Sequence, residues 1–139
     1  MNNNISKLLN TDSIKLLFSI FKKNDASIRL VGGSIRDALI NRETKDIDTA
    51  TKIEPKKVIN LLESNNIEYD DFAIQYGSII SYPLNQKIQI TTLREDVNQL
   101  GRHTNIIYTT DWKKDAARRD FTINALYVGS NNKIYDYYN

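Results

Sequence analysis

Ile28-Arg29-Leu30-Val31 is a short apolar run that stops at Gly32-Gly33, after which Ile35, Ala38 and Leu39 recur at helical spacing. This pattern reads as strand, tight turn, helix. An earlier helix opens at Thr11-Asp12-Ser13, with Ile14, Leu17, Phe18 and Phe21 forming one apolar stripe. Downstream, residues 47–51 read as a short strand, and Pro55 sits at the first position of a helix that turns Val58, Leu61 and Leu62 inward. Strands are expected at 78–82, 87–93 and 105–109, two of them forming a hairpin. A helix is expected at about 112–119, and a further strand pair at 122–128 and 133–137 around the turn Gly129-Ser130-Asn131-Asn132. The fold is therefore mixed α/β.

A chain of 139 residues suffices for one hydrophobic core and leaves little room for a second domain. With 40% apolar and 26% charged residues, it has the composition of an ordinary globular chain. A net charge of +2 permits nucleic-acid contact without arguing for it, since no basic run concentrates the charge. Cysteine is absent, which removes disulfides, thiolate metal sites and cysteine nucleophiles; any metal must sit on oxygen or on His103. Met1-Asn2-Asn3-Asn4-Ile5 has no basic stretch followed by an apolar core, and no segment reaches membrane-span length, so a cytoplasmic location is expected.

Candidate chemistry begins at Asp46-Ile47-Asp48. Residues two apart on a strand project from the same face, so the two carboxylates stand side by side as hard oxygen ligands suited to magnesium. Taken alone, Asp-x-Asp is also a common solvated strand face. The Gly32-Gly33 turn adds a place where backbone N–H groups can meet phosphate oxygens, with Arg36 one turn into the helix; the alternative is a plain turn with Arg36 and Asp37 as surface charges. Gly-Gly-Ser-Ile-Arg-Asp is neither a dinucleotide fingerprint nor a P-loop. The cluster Arg118-Arg119-Asp120 places two guanidiniums at a chain reversal, where they can fork onto triphosphate or ribose oxygens or simply complement a helix C-terminus.

Four segments taken together carry a resemblance. RLVGGSIRDALINRETKDIDTAT at 29–51, ITTLRED at 90–96, GRH at 101–103 and TDWKKDAARRDFTINALY at 110–127 resemble, in order, the catalytic head of the class II tRNA nucleotidyltransferase and poly(A) polymerase family. The last segment is more similar to the CCA-adding members than to the poly(A) polymerases. The resemblance implies a nucleotidyltransferase fold of the DNA polymerase β-like kind, a small mixed, mostly antiparallel sheet flanked by helices. The resemblance covers a head domain at 27–139, preceded by an N-terminal helical segment at 1–26, and the neck, body and tail of the family are expected to be absent from these 139 residues.

The resemblance further implies that Asp46 and Asp48 bind Mg²⁺ and are catalytic, and that Gly32, Gly33, Arg36, Arg119 and Asp120 contact the nucleotide, with Asn124 in the same motif. Residues 92–103 correspond to a loop that helps the site switch between nucleotides. The implied substrates are CTP or ATP and a tRNA or other RNA 3′ end; the chain is then a fragment, the remnant of a truncated gene, or one half of a split enzyme whose neck and body form a separately encoded subunit. Two positions depart from the family pattern: Gln89 stands where a third carboxylate is usual, and Leu100 replaces an acidic residue before Gly101. An amide offers a metal no charge, so a nucleotide-binding remnant or subunit with weakened catalysis is the alternative.

Overall fold

Strand pleating decides how this chain is organised, because successive side chains on a strand must enter opposite faces of the sheet. The computed structural model describes residues 3–42, 46–99, 103–119 and 125–137. Among the described residues five α-helices, α1 (Asn3–Leu9), α2 (Asp12–Lys23), α3 (Gly33–Leu39), α4 (Pro55–Ser64) and α5 (Trp112–Ala117), accompany nine strands. The strands are β1 (Arg29–Val31), β2 (Ile47–Thr51), β3 (Tyr69–Asp70), β4 (Ser78–Ser81), β5 (Ile88–Thr92), β6 (Arg94–Gln99), β7 (His103–Tyr108), β8 (Leu126–Val128) and β9 (Ile134–Asp136). Seven of them form one sheet in the order β3-β4-β5-β2-β1-β8-β9, while β6 and β7 pair separately. Within the large sheet β2 and β5 run parallel and every other neighbouring pair is antiparallel. The expected mixed, mostly antiparallel sheet is what the chain forms.

Two cores follow from the pleat. Leu30, Ile47, Ile79, Ile88, Ile90 and Val128 point to one side, where they meet Ile5, Ile14, Leu17, Phe21, Ile35, Val58 and Leu62 from α1 to α4. The alternate residues Val31, Ala50 and Tyr127 point to the other side and meet Leu93, Trp112 and Ala116, a smaller cluster under α5. Four helices seal the first face; α5 covers only part of the second. Asp48 and Ala50, two residues apart on β2, belong to that second, partly open face.

Several boundaries differ from the sequence expectation. The Asn-rich N-terminus forms α1, because Ile5 and Leu9, one helical turn apart, bury against the main core while Asn4 Nδ2 donates to the carbonyl of Ala38. Both N-terminal helices thus share the core of the sheet. Strand β3 is only two residues long and left no periodicity to read. The segment expected as a loop at 92–103 contributes the end of β5 and the whole of β6, which pairs with β7 from Arg94↔Tyr108 to Gln99↔His103. Helix α5 ends at Ala117, and the expected strand start at residue 122 lies outside the described residues.

Helix α2 supplies a direct check on this packing. Leu17 is fully buried, whereas its neighbour Leu16 is 36% exposed. Leu17→Ala is expected to lower unfolding free energy by about 2–5 kcal/mol, and Leu16→Ala by about 0.5 kcal/mol or less, in urea titrations of the two variants.

Candidate active site

The parallel pairing of β2 with β5 sets Asp48 directly beside Gln89. Both side chains emerge on the open face, where they border two adjoining depressions. The first, about 310 Å³, is lined by Asp46, Ile47, Asp48, Lys87 and Gln89. The second, about 420 Å³, runs from Gly32 past Asp48, Gln89 and Ser78 to Tyr76, with Arg118 and Arg119 on its wall. Asp46, just before β2, is exposed, and Asp48 is half-buried. Burial, and then the charge of Asp46, push the Asp48 carboxyl above its ordinary range; Arg119 and Lys87 oppose this. Two like charges held this close on a concave polar face are what a divalent cation would relieve. Asp46 and Asp48 therefore suit magnesium, which commonly takes one or two protein carboxylates and fills its remaining positions with phosphate and water.

Gln89 borders the same depression as the two carboxylates. Gln89 lies on the same face as Asp48, and its Nε2 donates to Ser78 Oγ at 3.3 Å, while Ser78 and Thr91 hydroxyls bond at 2.8 Å. Among the described residues no group of three metal-ligating side chains occurs. The described residues here offer two carboxylates, Asp46 and Asp48, and the Gln89 amide.

At the other end of the cleft, Gly32 has φ 72° and ψ −132°, a left-handed φ that favours glycine. It is the residue before α3, and it lets the chain reverse from β1 into the helix. Arg36 folds back over this turn: a Cβ built on Gly33 would lie 3.4 Å from Arg36 Nη2. Its Nε is 3.5 Å from Asp37 Oδ1. Arg36 thus sits at the turn, outside the residues that line the cleft with Asp48.

Arg119 does reach the cleft, and a buried carboxylate explains how. Asp115, 1% exposed, accepts from Arg118 Nε at 3.1 Å, Arg119 Nη2 at 3.2 Å, the Arg94 backbone N–H at 3.0 Å and Tyr127 OH at 2.6 Å. Burial alone would raise its pKa, but Arg119, Arg118 and the Tyr127 and Arg94 hydrogen bonds outweigh that and hold it below the usual carboxylate range. Burial and the adjacent Asp115 push the Tyr127 hydroxyl well above the usual phenol range, so it remains a donor. Helix α5 is braced from beneath by Arg29, whose guanidinium lies 3.9 Å from the Trp112 ring centre and 3.6 Å from that of Tyr135.

Asp115 went unremarked in the sequence, although it precedes Arg118 and Arg119 by three and four residues, the spacing at which helix neighbours pair. Asp120, Asn124 and Leu100 lie outside the described residues, and the side chain of His103 is likewise not described. Thr92 is buried and donates to the Ile53 carbonyl, which anchors the end of β5.

A mixed, mostly antiparallel sheet with one face sealed by helices and the other partly open is the fold of a nucleotidyltransferase head. Residues 28–139 match the Poly A polymerase head domain, and the chain belongs to that family. It is 36% identical over 129 residues to the CCA tRNA nucleotidyltransferase 1, mitochondrial, of Danio rerio, covering 92% of this chain and 30% of that protein. It is 33% identical over 108 residues to the CCA-adding enzyme of Enterococcus faecalis, covering 76% of this chain and 26% of that protein. The crystal structure of the Bacillus stearothermophilus CCA-adding enzyme in complex with CTP superposes with a TM-score of 0.78 at 23% identity, over 99% of this chain and 31% of that one. This shared fold confirms the expected architecture. The chain spans less than a third of the length of these relatives. No described helix is long and apolar enough to cross a membrane, and the mitochondrial name of the Danio rerio relative means that family membership does not carry the cytoplasmic expectation.

The Asp115 network generates a prediction about stability. Because its folded pKa is lowered, Asp115 contributes stability that is fully present above the unfolded carboxylate value near pH 4 and is lost as pH falls through the folded value. Asp115→Asn is expected to cost about 3–5 kcal/mol at pH 7, since Arg118 and Arg119 lose their buried counter-charge. Denaturant titrations across pH 2–7 should show the variant losing less stability than the parent as the solution is acidified.

Proposed function

We propose that this domain is the catalytic head of an RNA 3′-end nucleotidyltransferase of the CCA-adding type, transferring CMP or AMP from CTP or ATP to a tRNA 3′ hydroxyl. The observation that carries this reading is the placement of Asp46 and Asp48 on the open face, with Arg118 and Arg119 on the wall of the adjoining cleft. Asp46 and Asp48 would hold magnesium, which when bound lowers the pKa of an attacking hydroxyl and neutralises developing phosphate charge. Arg119, its guanidinium oriented by Asp115, presents N–H donors to the triphosphate. The Gly32 turn lets the chain pass close to the phosphates, and Gly33 and Arg36 add contacts at the same end. Asp120 is assigned to the ribose. The RNA hydroxyl attacks the α-phosphorus and pyrophosphate departs on the opposite side.

The chain's share of its relatives' length supports a division of labour in which the head holds the reacting 3′ end while base choice and the grip on the rest of the tRNA lie outside it. Gln89 favours a second reading, a head that binds magnesium and triphosphate with little turnover. The two are separated by incubating labelled CTP or ATP with tRNA lacking its terminal CCA, using the domain alone and then with a neck-and-body polypeptide. Incorporation that falls at least about 100-fold in Asp48→Ala supports the first reading. Folded protein that incorporates nothing in either setting contradicts it. Magnesium-dependent CTP binding without incorporation, lost in Asp46→Ala, identifies the second reading.

Gln89→Glu is expected to raise magnesium affinity and, if turnover occurs, its rate, because a carboxylate adds the charge an amide lacks. A titration of rate or CTP affinity against magnesium checks this, and an unchanged midpoint would remove Gln89 from the metal site.

A further inference from the structure

Three large aromatic side chains stand exposed on or against the segment 72–77: Phe72 at 71%, Tyr76 at 57%, and Tyr108, whose ring lies on Gly77, at 37%. Single exposed aromatics are ordinary on a protein surface; their position is what carries weight here. Tyr76 and Ala73 line the same cleft as Gly32, Asp48, Gln89 and Arg119. The turn that bears them is firmly built. Ile74–Tyr76 forms a single 3₁₀ turn closed by Gly77 at φ 80°, and Arg94 Nη1 donates to the Tyr76 carbonyl at 2.6 Å. The Tyr108 ring packs so closely on Gly77 that a Cβ there would lie 3.0 Å from its Cε1. Tyr76 is therefore displayed by an ordered segment.

The strand order gives this position a direction. From β1, which ends at the Gly32 turn, the sheet passes through β2 with Asp48 and β5 with Gln89 to β4, which follows the Tyr76 turn. Three strand spacings separate the ends, roughly 14 Å. In-line displacement at phosphorus requires the attacking and leaving oxygens to lie on opposite sides of the reacting centre. With the β- and γ-phosphates drawn to the Gly32 and Arg36 end, and the carboxylates between, the attacking hydroxyl must approach from the β4 end. An aromatic ring beside arginines is the surface chemistry that takes single-stranded nucleic acid, the ring receiving a base and the cations the backbone. Arg94 and Arg118, both lining the cleft, supply that charge.

We propose, resting on the nucleotidyl-transfer reading above, that Tyr76, with Phe72 on the same turn, is the stacking platform for the terminal base of the RNA acceptor. It holds the 3′ end on the β5 and β4 side of the carboxylates.

The test is a short RNA with 2-aminopurine as its 3′-terminal base, titrated with the full chain and read by both fluorescence quenching and anisotropy, beside calorimetric titration of magnesium-CTP. The parent chain is expected to bind the RNA and quench the probe. Tyr76→Ala should weaken RNA binding by about 5- to 150-fold and abolish quenching, with the loss falling on RNA rather than on CTP. Tyr76→Phe and Tyr76→Trp should retain both signals. Phe72→Ala, at a side chain too exposed to support the core, should show a smaller loss in the same direction and decides the matter should Tyr76→Ala fail to fold. RNA binding that is indifferent to Tyr76 and Phe72, an equal or larger loss of CTP affinity, or CTP binding with no RNA binding by the parent would overturn the platform. A parent chain that binds neither CTP nor RNA would instead overturn the nucleotidyl-transfer reading on which it rests.

Discussion

The period-two alternation of β1, β2 and β5 is the constraint on which this domain depends. Ile47, Ile88, Ile90 and Leu30 must lie against the four helices on one side of the sheet, because among the described residues the other cluster, under α5, is too small to receive them. Once they do, Asp48 and Gln89 have only the opposite face available. A one-residue slip of β2 would drive Asp48 into the helical core and expose Ile47, an error penalised by both the lost burial and the desolvated charge. Hydrophobic burial thus aims the carboxylates, although of these four apolar residues only Ile47 borders the depressions.

Apolar packing cannot supply the cations on the same face, and Asp115 fills that gap. Helix α5 has six residues, too few to be stable alone, and is held by Trp112 in the smaller core and by the Arg29 guanidinium against the Trp112 ring. Within this frame a buried carboxylate collects Arg118, Arg119, Tyr127 and the start of β6. Such a network is costly to desolvate, and it is tolerable because its acceptor oxygens are well supplied with donors. Its contribution is orientation: two guanidiniums arrive at the cleft with limited freedom, opposite the carboxylate pair.

Local signals in the sequence were enough for the pieces that are periodic or punctuated. The stripe of α2, the β1-Gly32-Gly33-α3 reversal, β2 and the Pro55 start of α4 were all legible because their periodicity or turn chemistry is contained within a few residues. Helix α1 and strand β3 were not, since each owes its existence to partners far along the chain, as Asn4 with Ala38 and Tyr69 with Ser81 show. The same holds within the site. Asp46 and Asp48 were visible as a spacing, whereas the adjacency of Asp48 and Gln89 is a product of register between strands forty residues apart, and the closeness of Tyr76 to the cleft depends on β4 joining the sheet beside β5. Asp115 was hidden for a different reason: an acidic residue before two arginines looks like an exposed helical charge pair until its burial is known.

What distinguishes this site from a merely charged surface is where a cation and a triphosphate come to rest. Crystals grown with CTP and manganese, examined by anomalous diffraction at the manganese edge, locate both without reference to catalysis. The geometry predicts an anomalous peak between Asp46 and Asp48, with the triphosphate running from that peak toward Gly32 and Arg119. A peak elsewhere, or a nucleotide bound away from the open face of β2, would contradict the assignment of this cleft as the site of nucleotidyl transfer.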